Sequence, residues 1–599
     1  MGNEQSNEEC RSEQNSSMQP RRYSSHQSYD ARKRAITVNE QRRRSYTQEK
    51  ELILDNGFKK QAAQLPHFFD SEGPAMIRAL TFDERRLLSS KSREQQLSTQ
   101  FSGYGMKRSM TFVSKSKLEA KDDSRLEDVL YRKHFLQDDA TSMTILPSYS
   151  STLRFPTIHE EKSEDSEGGK AVIVVDTFST GAVLAYELSR AGYKVVCVLS
   201  SDSKVLLDMV PVDLQGTFAA TFSLKTLGDY ALSMEQMCAE ISQLQWPVLA
   251  VLAGAETGVE LADKLSSFLG LRSNGTEQTE TRRDKYLMGE TIRGSGLRSA
   301  KQVKATTWGE IAAFLEEWKP EPFAVVVKPV DSAGSEDVIL CRSFSEVQDA
   351  FGRIMGKVNG LGLVNKAVLV QEYLDGQEYV IDMVSRDGEH KVVAIWECDK
   401  RPVNGASFVL HGYIPVLATA ERCQELIAYQ RDVLNALGIK HGPSHGEVKW
   451  FGNEPVLVEV GARCHGGEGT WVDVANRVYG YNQVEATACV YVPLSKISFD
   501  NIPPEPLNRV GHGRLLCLVC KVSGILTEIN PYFIEEIRRM RSFIRMEIFL
   551  KPGDMIKKTI DCFTLAGVIM LAHSLDAQVS ADYERIREME DENIFICEK

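Results

Sequence analysis

The spacing of apolar positions changes character near residue 168. Before it, apolar residues are scattered among Ser, Gln, Arg and Glu with no sustained period. Such a stretch lacks the apolar surface to offset the entropy of ordering, so residues 1–168 are expected to be mostly disordered. Within it, EKELILDNGFKKQAAQL and RLEDVLYRKHFLQ carry helical spacing and predict short helices. Beyond Gly168, β-branched runs alternate with helical patterns, which predicts α/β architecture. AVIVV (171–175) reads as a buried strand, followed by a loop at 176–181, a helix to about Ala191 and the strand KVVCVLS. VLAVLAGAETGVELADKLSSFLGL adds a strand, a Gly-bounded turn and a helix. This is a Rossmann-like start, but its first turn lacks GxGxxG, which argues against a dinucleotide site.

The middle of the chain adds candidate chemistry to the pattern. Lys285, in TRRDKYLM, precedes a predicted helix over 286–293. FAVVVKPVDSAGSEDV predicts a strand ending at Lys328 and then a small-residue loop at 331–335, with Ser332, Ala333, Gly334 and Ser335. Small residues let backbone N–H groups approach phosphate oxygens, and a lysine adds a point charge. A lone lysine ending a strand also reads as a snorkelling surface residue, and the Walker pattern GxxxxGK[ST] is absent. AVLVQEYLDGQEYVIDMV predicts strand, turn at Asp375-Gly376, and strand. On the second strand Glu378 and Asp382 share one face, while Tyr379, Ile381 and Met383 face the core.

GEVKWFGNEPVLVEVGARCHGGEG (446–469) is the most informative run. It predicts a β-hairpin turning at Gly452-Asn453. Alternation puts Val456, Val458 and Val460 on one face and Glu459, Gly461 and Arg463 on the other. The fold of the hairpin brings Glu447 nearly opposite Glu459. Two carboxylates across a ladder repel, unless a cation lies between them, and hard oxygen ligands suit Mg²⁺ shared with phosphates. The plainer reading is that both are solvated strand residues. Arg463 lies farther along and is placed to meet an anion. His441, His445 and His465 read as hydrogen-bonding or structural histidines.

Composition narrows the classes. A net charge of −12 argues against a nucleic-acid-binding protein. The twelve Cys are scattered without a disulfide framework, and Cys517 and Cys520 in LLCLVCKV read as strand packing. No apolar run approaches the ~20 residues needed to span a membrane. With no secretory apolar region at the start, a reducing, cytoplasmic setting is expected. The tail from Gly511 alternates as strands (GHGRLLCLVCKVSGILTEI, FIRMEIFLKPGDMIK, GVIMLAHS) and shows no catalytic constellation.

Taken in order, these segments resemble the ATP-grasp superfamily. Within it they are similar to the carboxylate–amine ligases that join amino acids into dipeptides, the bacilysin-synthetase and carnosine-synthase type. The resemblance covers about residues 169–599. It implies an α/β ATP-grasp fold with α+β subdomains: a pre-ATP-grasp domain over 169–284, the ATP-grasp domain over 285–500 and a C-terminal subdomain over 501–599. It implies ATP and Mg²⁺ as cofactors, with Mn²⁺ as an alternative, and small-molecule carboxylate and amine substrates. By the same resemblance, Lys285 and Lys328 hold phosphates and the 331–335 loop closes over the triphosphate. The backbone around Glu372, Tyr373 and Leu374 pairs with adenine, and Glu378 holds the ribose. Glu447 and Glu459 bind the metal, and Arg463 meets the reacting phosphate. The family's Asn is Gly461 here, so a water or the second oxygen of Glu459 completes the metal set. Homo-oligomerisation is compatible with this reading.

The implied reaction is phosphoryl transfer to a carboxylate, followed by amine attack on the acyl phosphate. Two other readings compete: a bicarbonate-activating, carboxylase-type enzyme, and a catalytically weak, membrane-tethered ATP-binding regulatory protein. The start Met1-Gly2-Asn3-Glu4-Gln5-Ser6 fits an N-myristoylation pattern, and Arg21, Arg22, Arg32, Lys33, Arg34 and Arg42–Arg44 form a basic stretch behind it. Together they predict peripheral membrane contact through Gly2. Cys10 is an alternative lipidation site.

Overall fold

A computed structural model describes residues 169–225, 230–360, 363–592 and 594–598. The expected disorder and helices of 1–168, Cys10, the basic stretch and the Gly2 tether lie outside the described residues. The first strands are β1 (Ala171–Val175), β2 (Lys194–Leu199), β3 (Ala220–Ser223) and β4 (Val248–Ala253). They form a parallel sheet in the order β3-β2-β1-β4. β1 is central and wholly buried, which is why it is apolar at every position rather than alternating. The glycines after β1 and β4 do more than turn the chain. A Cβ on Gly181 would lie 2.4 Å from the Gly254 backbone, so these two loops meet only because neither residue has a side chain.

Four antiparallel strands make a second sheet: β5 (Gln302–Ala305), β6 (Val325–Pro329), β7 (Ile339–Cys341) and β8 (Val368–Glu372), in the order β5-β8-β6-β7. The remaining strands are β9 (Glu378–Arg386), β10 (Glu389–Val403), β11 (Ala406–Val416), β12 (Gly442–Phe451), β13 (Glu454–Gly461), β14 (His512–Leu518), β15 (Gly524–Ile529), β16 (Phe543–Ile548), β17 (Met555–Ile556), β18 (Gly567–His573) and β19 (Phe595–Cys597). Eight of them form one sheet, β13-β12-β9-β10-β11-β14-β18-β16, while β17-β15-β19 pair separately. The large sheet runs on through residue 500, because β11 pairs directly with β14.

On β9, Tyr379, Ile381 and Met383 pack into one core with the helix Cys423–Ala436, while Val380 faces the opposite core around Trp396 and Trp471. Both faces are therefore covered, and Asp382 is fully buried. Cys517 and Cys520 are buried free thiols in apolar cores, as strand packing requires.

Two expectations need correction. The hairpin β12–β13 turns at Gly452 (φ 64°), with Glu447 opposite Glu459, but its register shifts between Glu447 and Val448. This bulge at Val458 breaks the alternation. Leu457 and Val460 therefore share a core, Val456 packs elsewhere, and Val458 lines a cleft. The tail is also not strands alone. The helices Pro531–Arg539 and Asp576–Asp591 belong to it, and Val579, Tyr583 and Ile586 bury at helical spacing.

Candidate active site

The sheets meet around a cavity of about 730 Å³. Nearly every residue proposed from sequence lines it, and its walls come from loops of all the sheets. Lys285 opens the helix Lys285–Gly294, whose N-cap Asp284 accepts the N–H groups of Tyr286 and Leu287 at 2.9 and 3.0 Å. The Lys285 ammonium donates to the Ser332 carbonyl at 2.7 Å and lies 3.0 Å from Glu459 Oε1. It thus joins the small-residue loop to the hairpin. Lys328, near the end of β6, is buried, and its ammonium donates to no protein group among the described residues. Burial and the neighbouring Lys285 push its pKa down to about 8.

The 331–335 loop has positive φ at Gly334 (68°) and Ser335 (61°), and the Gly334 carbonyl accepts the Cys562 N–H at 3.1 Å. A Cβ on Gly334 would sit 3.3 Å from the Cys562 and Phe563 side chains. The loop is therefore docked on the C-terminal region.

The linker after β8 uses its side chains, and part of its backbone, for contacts within the chain. Glu372 accepts from Arg298 at 2.8 Å and from the Lys301 N–H at 3.1 Å. The Tyr373 ring packs against Phe408 at 6.1 Å. Lys449 donates to the Leu374 carbonyl at 3.1 Å. Glu378 is paired with Lys400, a residue that carries no sequence signal of its own.

The metal-type cluster is on the hairpin. For Glu447, burial works against ionisation, but the Lys400 ammonium and His445 outweigh it and hold the carboxyl far below the usual range. His445 Nε2 lies 3.5 Å from Glu447, and its Nδ1 donates to Asp382 at 3.0 Å. Asp382 also accepts from His465 Nδ1 at 2.9 Å and Trp396 Nε1 at 2.7 Å. Burial lowers the His445 pKa, yet Asp382 and Glu447 prevail and raise it to about 8. Asp382 thus fixes both imidazoles, and His445 braces Glu447. His441 is elsewhere, accepting the Asp387 N–H at 3.2 Å. The opposed carboxylates, the nearby lysines and the adjacent loop N–H groups are the donor set that Mg²⁺ and a triphosphate require.

Arg463 is not bare. Its Nε lies 2.9 Å from Glu256 Oε2, and the other Glu256 oxygen pairs with Arg283 at 2.5 Å. This pair also explains Gly461: a Cβ there would be 2.9 Å from Glu256 Oε2 and 3.1 Å from Arg463 Cζ. The space of the family's Asn side chain is filled by the ion pair. Sequence reasoning assigned no role to Glu256, Arg283 or Lys400. It also missed the wall built by residues 549–555 and 562–565 of the tail. Only contacts far apart in sequence reveal them.

A family profile for the ATP-grasp domain matches residues 321–471. Dapdiamide A synthase of Enterobacter agglomerans is 30% identical over 352 residues, which are 58% of this chain and 81% of that relative. Alanine–anticapsin ligase of Bacillus subtilis (strain 168) is 27% identical over 257 residues, covering 39% of this chain and 52% of the ligase. That match spans only about half of the ligase's length. The crystal structure of L-amino acid ligase from Bacillus licheniformis superposes with a TM-score of 0.56 at 19% identity, over 72% of this chain and 100% of that one, a likeness of fold.

Proposed function

This chain belongs to the ATP-grasp family, in its branch of ATP-dependent carboxylate–amine ligases, and from that premise we propose that its cleft joins an amino-acid carboxylate to the amine of a second small molecule. The observation that carries the reading is Glu447 facing Glu459 across the β12–β13 ladder, with Lys285 and Lys328 in the same cleft. Glu447 and Glu459 would hold Mg²⁺, or Mn²⁺ in its place. Bound there, the ion offsets the charge that develops as the substrate carboxylate takes the γ-phosphoryl group.

Lys285 and Lys328 hold the phosphates, and the 331–335 loop supplies N–H donors beside them. The linker backbone at Glu372–Leu374 faces adenine, and Glu378 faces the ribose. The amine then displaces phosphate from the acyl phosphate. Arg463, with the N–H groups of Gly466 and Gly467, steadies the oxyanion of that step.

Release of ADP and phosphate with a panel of amino-acid pairs tests the reading. Bicarbonate-dependent ADP release without an amine would instead favour the carboxylase reading. Glu459→Gln is expected to abolish product while leaving the melting temperature unchanged. Full product formation by this variant at saturating Mg²⁺ would overturn the assignment.

The further proposal of a myristoyl–electrostatic tether at Gly2 rests on sequence. No helix among the described residues is long and apolar enough to cross a membrane. Fractionation of Gly2→Ala against the parent chain decides it, since identical distributions would rule the tether out. Self-association stands as a proposal for sedimentation at working concentration.

A further inference from the structure

Between Arg463 and the helix Val472–Tyr479 the cleft wall makes an unusual turn. Gly467, Glu468 and Gly469 have φ of 68°, 57° and 68°, three successive residues in the left-handed region. Glycine enters that region freely and an L side chain does not. The middle residue is nevertheless a glutamate. Its surroundings hold the turn in place. The Thr180 hydroxyl donates to the His465 carbonyl at 2.5 Å, and Trp471 Nε1 donates to the Gly466 carbonyl at 2.9 Å. Thr470 Oγ1 donates to the Gly467 carbonyl at 2.8 Å. Strain maintained in this way marks functional positions.

Glu468 lines the cleft. Other cleft carboxylates are matched by cations of the chain: Glu256 by Arg283 and Arg463, Glu372 by Arg298, Glu378 by Lys400, and Glu459 by Lys285. Among the described residues, Glu468 has neither a hydrogen bond nor an ion pair. Burial, with the charge of Glu547 adding to it, pushes its carboxyl up to about 7. Glu547, on β16, already has Arg545 at 3.1 Å. A half-buried carboxylate with a like charge nearby and no cation from the chain is suited to a cation from outside.

Resting on the ligase reading, we infer that Glu468 receives the ammonium group of the amine substrate, takes one of its protons so that the free amine can attack the acyl phosphate, and so selects amino-acid-like amines that arrive as cations. The strained backbone is then the means by which a carboxylate, rather than a third glycine, faces the cleft beyond Arg463.

Hydroxylamine separates the two substrate roles, because it captures an acyl phosphate while uncharged at neutral pH. Amine KM and hydroxamate formation would be measured for the parent chain, Glu468→Gln and Glu468→Gly. Removing a charge-assisted contact is expected to raise the KM for an amino-acid amine about tenfold or more in both variants. Hydroxamate formation should fall by a much smaller factor. The glycine variant, relieved of its left-handed strain, should melt no lower than the parent. An unchanged amine KM, or equal loss of both activities, would overturn the inference. If the parent forms hydroxamate with no amino acid tested, the ligase reading itself fails and this inference falls with it. Hydroxamate without the KM split refutes Glu468 alone.

Discussion

Lys328 holds a positive charge where burial and Lys285 both oppose it, so its proton is lost near pH 8 in the free protein. Its ammonium is the protonated form, present below that value and lost above it. The KM for ATP should therefore be flat below pH 8 and rise above it, by up to about tenfold per pH unit. Lys328→Arg keeps its charge throughout, so it should bind ATP less well but without the break. Initial rates from pH 7 to 9.5 check both. At Gly461 the constraint is steric. Asn there must displace Glu256 or Arg463, both within about 3 Å of the new Cβ. Misplacing a group that meets the reacting atoms by about 1 Å costs roughly a hundredfold in rate, which is the expected loss in kcat for Gly461→Asn. Adding Glu256→Ala should recover part of it, and a double-mutant cycle measures that coupling.

Among the elements, the 331–335 loop shows how a small residue can be required twice. Gly334 needs its positive φ, and it needs the gap against Phe563. Gly334→Ala is expected to raise the KM for ATP several-fold with little change in melting temperature, measured by steady-state kinetics and calorimetry. The element boundaries were largely legible in the sequence. AVIVV, the run ending at Lys328 and the turn at Gly452-Asn453 each carry local chemistry that admits one structure. That Glu447 lies nearly opposite Glu459 was legible from the turn, whose register alone would pair Glu447 with Val458. The bulge at Val458 was not, since nothing in EPVLVEV distinguishes an extra residue from a regular one. Asp382 was legible as sharing a face with Glu378. Its burial against two histidines and a tryptophan depends on Trp396 and His445 of the flanking strands and on His465 after the hairpin, all distant from it in sequence.

At the scale of the molecule, the large sheet is shared between the segment that carries the metal-type hairpin and the tail. β14 pairs with β11, and β18 and β16 extend the same sheet. A chain ending at residue 500 would leave β11 as an open edge and remove the cleft wall at 549–565. Residues 169–500 alone are therefore expected to aggregate and to lack a cooperative melt. Soluble yield and scanning calorimetry test this, and a soluble, cooperative fragment would show that the tail folds independently. The order of the segments was readable in the sequence. That the tail closes the site was not, because its contribution is made by Phe549, Cys562 and Phe563, which look like ordinary apolar residues.

Glu256 ties together the loop after β4, Arg283 ahead of the second sheet and Arg463 after the hairpin. In competitive terms, the seat at Arg463 already has a tenant. Any anion arriving there must evict a carboxylate that is tethered to the same molecule and never diffuses away. Chloride or free phosphate, with one foothold, competes poorly against such a rival. A phosphoryl group held at the same time by the lysines has several footholds and displaces it. The site gives up affinity for every anion alike and thereby gains discrimination against the abundant small ones.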